Sequence, residues 1–503
     1  MSDNLLENLN KEQLEAVTFG EGPLMIIAGA GTGKTTVITQ RIAWLIEQGR
    51  VKPDEILALT FTEKAATEME ERVDRLLPIG YVDLWISTFH AFCEKILRAH
   101  ALEIGLPHEF KLVNEVDALL LLRRNFHTFN LDYYRPRGNP TKFIKALLTH
   151  FSRLKDETIT PEEYLEYVDK LQMEADTAEG VASKDEGEKL AEIARLRELA
   201  NAYHQYQQLL LQEHALDFAD LIFYCLELLQ KRPNIRKIYQ KQFKYILVDE
   251  FQDTNHAQYE LVKQLCSGSN NITIVGDDDQ SIYKFRGASL SNILKFREHF
   301  PKAQGIVLNK NYRSRGEILH HAYELIQKNN PDRLEIKEEL NKKLETQTKE
   351  KGVVEFIECE TGDDEVKCCI EKIINLQKKD AMPWSDFCIL VRANDSAKPF
   401  ITMMDRIGIP YRFLAMSGLY TKPIILDILA FMRVVDQPHE STAVYRILSH
   451  PQIGIPEFDV QQLALYCRRK SKSLIGAMKD ASFIHQISMD GKMRIQELLN
   501  TFS

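Results

Sequence analysis

The chain has 503 residues, of which 44% are hydrophobic and 27% charged, and its formal net charge at pH 7 is −9. That length predicts about three or four domains, and the apolar content is sufficient for large cores. The acidic balance excludes the whole-chain basic signature of a nucleic-acid-binding protein, so any such binding would depend on local clusters of charge.

No apolar run approaches the roughly 20 residues of a membrane span, and the polar N-terminal residues lack the apolar core of a signal peptide. The eight cysteines contain no Cys-x-x-Cys pair, so neither a zinc framework nor an iron–sulfur cluster is indicated. We therefore expect a cytoplasmic protein with reduced thiols and no membrane partner.

The first helical pattern starts near residue 10, where Asn10 followed by Gln13 predicts a helix cap. A short apolar run then leads into the glycine-rich sequence AGAGTGKTT and a second helical pattern. Glycines let consecutive backbone N–H groups face one anion, and the helix N-terminus adds a positive dipole end. We therefore predict a phosphate-binding loop, with a simple glycine-rich turn as the alternative. Its predicted nucleotide-binding residues are Ala28, Gly29, Ala30, Gly31, Thr32, Gly33, Lys34, Thr35 and Thr36.

Two residues of this loop have distinct expected tasks. Lys34 would reach the β- and γ-phosphates of ATP, and the Thr35 hydroxyl would bind Mg²⁺. Further apolar strands at residues 56–60 and 84–87 alternate with helical patterns, which predicts a parallel sheet covered by helices on both faces. From about 93 to 214 the strand pattern disappears, and apolar residues recur at helical spacing, so we predict an all-helical insertion.

Strands resume at residues 245–248, which run directly into Asp249 and Glu250. In a phosphate-loop ATPase this is where the aspartate holds Mg²⁺ and the glutamate activates water. The next strand leads into GDDDQSIYKFRG, and ligands bind at this edge of parallel sheets. Solvated strand-end loops are the alternative interpretation of both acidic runs.

A further α/β unit is predicted to begin near residue 305, with strands at 353–358 and 387–391, and to end near residue 435. The polar, charged residues 337–351 are the most linker-like stretch of the chain. The last segment, from roughly residue 436, is helical in pattern.

In this order the motifs resemble those of the UvrD/Rep/PcrA-like DNA helicases of superfamily 1. The resemblance covers nearly every residue from 1 to 435 and rests on AGAGTGKTT, LTFTEKAATEM, STFHAF, VDEFQDTN, GDDDQSIYKFRGA, NKNYRSR and VRAND. It implies an α/β fold with two RecA-like parallel-sheet motor domains, each with a helical insertion. It also implies an ATP-driven motor that moves 3′ to 5′ along single-stranded DNA.

The implied domain boundaries follow from the motif positions. The first RecA-like ATPase domain comprises residues 1–92 and 215–303, and its helical insertion comprises residues 93–214. The second RecA-like domain comprises residues 304–435, and a second helical insertion starts at 436–503.

The resemblance also assigns site residues outside the phosphate loop. Gln13 reads the adenine edge, Tyr312 lies on the adenine face, and Arg313 reaches the γ-phosphate from the second motor domain. Gln280 belongs to the motif that couples nucleotide to DNA and completes a catalytic set with Lys34, Glu250 and Arg313. The predicted DNA contacts, whose aromatic members would stack on bases, are Phe61, Lys64, His90, Tyr283, Phe285, Arg286, Arg392 and Asn394.

Some positions depart from the family pattern. Thr36 stands where the family often has arginine, and Phe285 where it has tryptophan. The family's last two motifs, with a second γ-phosphate arginine, are not found before Ser503. We therefore expect the N-terminal two-thirds of such a helicase, with an incomplete second motor domain and slow turnover of ATP.

The expected partners are single-stranded DNA and junctions of single- and double-stranded DNA, with proteins of DNA repair or replication. Two alternatives stay open beside the motor. One is a nucleotide-dependent module that binds single-stranded DNA, and the other is the motor subunit of a helicase–nuclease complex.

Overall fold

The structure is a computed structural model, and it describes residues 5–77, 84–138, 140–177, 184–266, 270–282, 290–414, 423–436, 440–470 and 472–502. The chain divides into two compact units, Met1–Val354 and Glu355–Ser503. In the described part of the chain, no helix is long and apolar enough to cross a membrane.

The first unit is built on a six-stranded parallel sheet with the strand order β3-β2-β6-β7-β1-β8. Nearly every residue of its central strands is buried, as expected for parallel strands that are covered on both faces. The parallel α/β architecture predicted for this region is therefore confirmed. The strands are β1 (Leu24–Ala28), β2 (Ile56–Thr60), β3 (Trp85–Thr88), β6 (Tyr245–Val248), β7 (Ile272–Gly276) and β8 (Gln304–Leu308).

Short strands and helices complete this unit. Two pairs of short parallel strands lie outside the main sheet, β4 (Lys111–Val113) with β5 (Ala215–Asp217) and β9 (Lys310–Asn311) with β10 (Glu345–Thr346). The helices are α1 (Lys11–Thr18), α2 (Lys34–Glu47), α3 (Glu63–Leu76), α4 (Phe89–His100), α5 (Glu115–Asn125), α6 (Ile144–Asp156), α7 (Pro161–Thr177), α8 (Lys184–Gln212), α9 (Phe218–Lys231), α10 (Pro233–Gln242), α11 (His256–Cys266), α12 (Leu290–Leu294), α13 (Phe296–His299), α14 (Gly316–Ile326) and α15 (Leu334–Lys337).

Alternate residues of each strand enter two different cores. On one face, Met25 and Leu57 pack with residues of α4, α9 and α11. On the other face, Ile26 and Ala58 pack with residues of α2 and α3. This alternation is the period of two expected of a β-strand. The burial of both faces holds β1 in the sheet, and the glycine-rich loop begins at its carboxyl end.

Helices α5–α8 form a separate core beside the sheet. The Phe151 ring stacks on Tyr203 and Tyr206, with centroids 5.5 and 5.3 Å apart. At the end of α6, the fully buried Lys155 ammonium lies 2.6 Å from Asp217 and 2.8 Å from Asp220. A buried cation needs such partners, so this cluster holds the helical region on α9.

Strand β8 differs from the sequence-based expectation, which placed the start of a second α/β unit here. It pairs along the whole of β1, from Leu24 opposite Gln304 to Ala28 opposite Leu308. Ile306 and Leu308 are buried in the core shared by α2 and α3. An apolar run predicts a buried strand but not the sheet that it joins, and pairing with β1 buries these side chains.

The second unit is helical in its described residues. Its helices are α16 (Gly362–Asp380), α17 (Asn394–Ile407), α18 (Pro423–Asp436), α19 (Ser441–Leu448), α20 (Glu457–Lys470), α21 (Leu474–Lys479) and α22 (Met489–Thr501). Residues of α18–α22 share one core, and α16 and α17 pack around Val366, Ile370 and Phe400.

The two strands expected at residues 353–358 and 387–391 are absent from the described structure of these segments. Several of their apolar side chains face solvent, with Phe356 89% and Leu390 90% exposed, whereas Ile389 packs against the core around Ile370. An extended segment belongs to a sheet only when its backbone pairs with a neighbouring strand, and neither of these two described segments is paired in that way.

Candidate functional site

The glycine-rich loop turns sharply between β1 and α2. Gly31 and Gly33 have φ angles of 77° and 89°, which is the left-handed region that favours glycine. A Cβ atom on Gly31 would lie 2.6 Å from the Cβ of Arg313, and one on Gly33 would lie 2.8 Å from the Gln13 side chain. Both positions therefore need glycine for conformation and for the close approach of neighbouring segments.

A cavity of about 490 Å³ opens at this loop. Most of the predicted nucleotide-binding residues line it, whereas Ala28, Gly29 and Thr32 do not. The Thr32 hydroxyl instead donates to the Gly29 carbonyl at 2.8 Å inside the turn. The lining residues are Asn8, Gln13, Ala30, Gly31, Gly33, Lys34, Thr35, Thr36, Arg72, Glu250, Gln280, Tyr312 and Arg313. Sequence reasoning missed Asn8 and Arg72.

Gln13 serves both as a helix cap and as a wall of the cavity. Its backbone N–H donates to Asn10 Oδ1 at 2.9 Å, and its Oε1 accepts from the Asn10 N–H, which confirms the predicted cap. Its Nε2 donates to the Thr32 carbonyl at 2.9 Å. Asn10 Nδ2 in turn donates to the Tyr312 hydroxyl at 2.9 Å, so the cap also positions that ring.

Asn311 anchors the segment that carries Tyr312 and Arg313. Its Nδ2 donates to the Ala30 carbonyl at 2.6 Å, and its Oδ1 accepts from the Arg313 N–H at 3.0 Å. The Tyr312 N–H donates to the Gly31 carbonyl at 2.9 Å. These contacts lie within the first compact unit, Met1–Val354. The expectation that Arg313 belongs to a second motor domain stays a prediction. Sequence reasoning missed Asn311, although it directly precedes Tyr312.

Lys34 and Glu250 meet at the centre of the cavity. The Lys34 ammonium lies 2.7 Å from Glu250 Oε2 and 3.5 Å from Gln280 Oε1. Glu250 adopts a left-handed backbone conformation, with φ of 48°, which is uncommon for a residue other than glycine and is often found at active sites. Gln252 Nε2 also donates to Glu250 Oε2 at 2.7 Å and so fixes the carboxylate.

Asp249 and Thr35 are the residues whose chemistry fits Mg²⁺. Asp249 is 7% exposed, and burial raises the pKa of its carboxyl to about 6, with Glu250 adding to the shift. Thr35 lines the cavity with its hydroxyl one residue after Lys34. Carboxylate and hydroxyl oxygens are the ligands that Mg²⁺ prefers, and a cation would favour the charged form of this buried carboxylate.

The second acidic run is neutralised by side chains of the same unit. Asp277, Asp278 and Asp279 lie within 4.8 Å of one another, but the Lys342 ammonium lies among them. The prediction that residues 337–351 form a linker is therefore wrong at Lys342, which is 7% exposed. Among the described residues of this run, 276–282, Gln280 alone lines the nucleotide cavity.

A second cavity, of about 300 Å³, lies at the carboxyl ends of β2 and β3. It brings together two predicted DNA contacts, Phe61 and His90, and burial lowers the pKa of His90, which favours the neutral imidazole. The Phe218 ring packs edge-on against His90 with centroids 6.0 Å apart and is 49% exposed. Sequence reasoning missed Phe218, whose signal is its place as the first residue of α9, directly after β5.

The remaining predicted DNA contacts lie elsewhere. Lys64 is exposed in the first turn of α3, close in sequence to Phe61. Arg392 and Asn394 are exposed residues of the second unit. Tyr283, Phe285 and Arg286 lie outside the described residues, so their roles stay predictions.

Comparison with known proteins agrees with this geometry. The UvrD/REP helicase N-terminal domain matches residues 9–301, and the UvrD-like helicase C-terminal domain matches residues 306–502. ATP-dependent DNA helicase PcrA of Bacillus subtilis (strain 168) is 36% identical over 485 residues, which cover 96% of this chain and 61% of that protein.

Two further relatives carry the same name. PcrA of Staphylococcus epidermidis (strain ATCC 12228) is 36% identical over 95% of this chain and 61% of its own length. PcrA of Staphylococcus aureus (strain Mu50) is 35% identical over 99% of this chain and 63% of its own length. The chain thus spans about three fifths of the length of these curated relatives. It belongs to the UvrD/REP helicase family.

Proposed function

We propose that this chain is the ATP-hydrolysing motor of a DNA helicase that moves 3′ to 5′ along single-stranded DNA and opens duplex DNA at junctions. The observation that carries the proposal is the convergence of Lys34, Thr35, Glu250, Gln280 and Arg313 on one cavity beside the glycine-rich loop. A place in DNA repair or replication restart is part of this proposal and rests on the family alone.

Nucleotide binding follows from the charges and donors in the cavity. Lys34 and Arg313 supply two cations for the β- and γ-phosphates, and the N-terminus of α2 supplies backbone N–H groups and a positive dipole end. Tyr312 offers a ring face to the adenine, and Gln13 offers an amide to its edge. When bound, Mg²⁺ supplies neutralisation of the phosphate charge, and Thr35 and Asp249 would hold it.

Hydrolysis depends on Glu250 as the general base. Its carboxylate is held by Gln252 and lies beside Lys34, so it is aimed at the phosphate end of the cavity. Glu250 takes a proton from the attacking water, and Lys34 and Arg313 stabilise the charge that develops on the transferred phosphoryl group. An arginine in this role is worth about 10³–10⁵ in rate.

The DNA surface centres on the second cavity. Phe61 and Phe218 provide rings on which bases can stack, and stacking accepts every base because each has a π-face. The neutral imidazole of His90 can donate one hydrogen bond to the backbone of the strand without adding a charge. Lys64 adds a cation at the rim of the same sheet edge.

One loop connects the two cavities. It leaves β6 at Asp249, places Glu250 in the nucleotide cavity, and then places Asp253 and Asn255 in the second cavity. Asn255 Nδ2 donates to Asp156 Oδ1 of α6 at 2.7 Å, so the helical region also contacts this loop. Glu250 in the nucleotide cavity and Asn255 in the second cavity are therefore only five residues apart on one loop. This short connection supports the proposal that bound DNA stimulates hydrolysis.

The test is steady-state ATPase activity of the chain with and without single-stranded DNA, followed by a translocation assay on strands blocked at either end. The proposal expects turnover that DNA stimulates and displacement of a block from the 5′ end only. Nucleotide and DNA binding without turnover would instead support a second candidate, a nucleotide-dependent DNA-binding module. The exposed apolar segments at Phe356 and Leu390 of the second unit favour that candidate.

A further inference from the structure

We propose that Lys342 and Arg333 are positioning residues for ATP hydrolysis and act through the acidic triplet Asp277–Asp279. This inference rests on the proposed function, because it concerns the geometry of Glu250 and Gln280 during turnover. Neither cation lines the nucleotide cavity, so any effect on the reaction must pass through intervening side chains.

The two cations bind the triplet from one side. Lys342 Nζ lies 2.7 Å from Asp277 Oδ1 and 2.8 Å from Asp279 Oδ2, and it also contacts Asp278. Arg333 donates through Nε and Nη2 to the two carboxylate oxygens of Asp279, at 2.8 and 2.7 Å. The Lys342 and Arg333 side chains are only 4% and 3% exposed. This arrangement is a closed, charge-assisted network, with the planar fork of arginine in its preferred bidentate geometry.

Asp277 passes this constraint on to the catalytic side chains. Its Oδ1 is held by Lys342, while its Oδ2 accepts from Gln280 Nε2 at 2.7 Å. Its backbone N–H donates to Gln252 Oε1 at 3.0 Å, and Gln252 Nε2 donates to Glu250 Oε2 at 2.7 Å. One side chain, Asp277, thus separates Lys342 from Gln280. Asp277 also contacts Gln252, the amide that holds Glu250.

Each amide has its orientation set by this chain of contacts. Gln280 presents Oε1 to Lys34 because its Nε2 is engaged by Asp277. Gln252 presents Nε2 to Glu250 because its Oε1 accepts from the Asp277 N–H. Gly276 makes room for this orientation, since a Cβ there would lie 2.6 Å from Gln252 Oε1. Removing Lys342 would leave three buried carboxylates with one cation fewer, and the triplet would move apart or take up protons.

The experiment compares Lys342→Met and Arg333→Lys with the exposed neighbour variant Lys343→Met in the full chain. Arg333→Lys keeps the positive charge and loses the bidentate contact with Asp279. It therefore tests the same proposal if the Lys342→Met protein does not fold. The measurements are kcat and KM for ATP with single-stranded DNA, the affinity for a fluorescent ATP analogue, and the melting temperature. Each variant is also made in a Gln252→Ala/Gln280→Ala background.

We expect kcat to fall about tenfold or more in the two positioning variants, since a displacement of about 1 Å at a site can cost about 10²-fold. Nucleotide affinity should stay within about threefold, and Lys343→Met should match the wild type. In the Gln252→Ala/Gln280→Ala background the loss should largely disappear, because the amides that transmit it are gone. A purely structural role would lower kcat by the same factor in both backgrounds.

Two results are distinguishable. If the wild type hydrolyses ATP and the folded positioning variants match it, or lose the same factor in both backgrounds, this inference alone is overturned. A wild type without DNA-stimulated turnover overturns the proposed function and this inference with it.

Discussion

The Lys34 ammonium lies 2.7 Å from the Glu250 carboxylate, so the cation expected to bind phosphate and the base expected to activate water are partners in one ion pair. Lys34 is 11% exposed and Glu250 36% exposed, which leaves the carboxylate more open to solvent than the ammonium. The two residues therefore share a cavity, but substitutions at them should impair different steps, namely nucleotide binding and hydrolysis.

Lys34→Ala should weaken nucleotide binding itself, because it removes a charge from the phosphate end of the cavity. Glu250→Gln should bind nucleotide nearly as well as the wild type, since the amide keeps the shape of the side chain, but should slow hydrolysis by about 10²–10⁴. Titration with a fluorescent nucleotide and single-turnover hydrolysis separate the two effects. Equal loss of affinity in both variants would contradict the assigned roles.

Gly31→Ala should abolish tight nucleotide binding. The new methyl group would meet Arg313 Cβ at 2.6 Å and Asn311 Nδ2 at 2.8 Å in a left-handed conformation. Gly49→Ala is the matched control, because Gly49 also has a positive φ, of 64°, but nothing lies within 4 Å of its added Cβ. The control should lose about 1–2 kcal/mol of unfolding free energy through backbone strain and keep its nucleotide affinity. Similar affinities in the two variants would show that crowding at the loop is unimportant.

Phe218→Ala should weaken binding of single-stranded DNA by about 1–3 kcal/mol, the usual worth of one stacked base, with little dependence on base identity. The side chain is 49% exposed, so the melting temperature should change little. Fluorescence anisotropy with oligo(dT) and oligo(dA) measures the effect. Phe458→Ala, at an aromatic residue of α20 that is 59% exposed, is the control and should leave the affinity unchanged. A large fall in melting temperature with normal affinity would assign Phe218 to the core.

Asp156→Asn should make the first unit less sensitive to pH. Burial raises the pKa of Asp156 to about 7, and nearby Arg153 opposes the shift. A carboxyl with a raised pKa binds more protons when folded than when unfolded, so its favourable contribution is present below pH of about 4 and is lost as pH rises through about 7.

The variant should therefore be more stable than the wild type at pH of about 8 and show a shallower loss of stability from about pH 5 upward. Its amide oxygen can still accept from Asn255. Urea unfolding across this pH range measures the slope, and Asp74→Asn on the exposed face of α3 is the control. Asp249, Asp253 and Asp220, each with a pKa raised to about 6, would keep part of the slope. An unchanged slope in Asp156→Asn would refute the assignment.

The parts of the site that the sequence predicts are those built within one strand–loop–helix unit. Lys34 and Thr35 follow their strand directly, and Asp249 and Glu250 follow theirs, so spacing alone places them at one sheet edge. Arg333 and Asp279 are 54 residues apart, and no local pattern indicates their contact. The charged residues around Lys342 resemble a linker in composition because composition does not show which carboxylates a lysine meets.

Strand β8 illustrates the same limit at the level of the fold. Its apolar residues predict a buried strand, and the motifs that follow suggest a new domain. The partner of a strand is decided by tertiary packing, which here places Ile306 against β1. Asn311 was missed for a related reason, since its Nδ2 donates to Ala30, which is 281 residues away in the chain.

The pairing of β8 with β1 has a consequence for how the protein can be divided. Leu308, the last residue of β8, lies opposite Ala28, the last residue of β1 before the glycine-rich loop. Arg313 follows Leu308 by five residues, so the pairing brings it to the same loop. Every described residue that lines the nucleotide cavity precedes residue 354, the last residue of the first unit. Residues 1–354 alone are therefore expected to bind the fluorescent ATP analogue as tightly as the whole chain. A loss of affinity of more than about tenfold, which is about 1.4 kcal/mol of binding free energy, would refute this. Nucleotide binding would then be a property of the first unit that can be studied without the second unit.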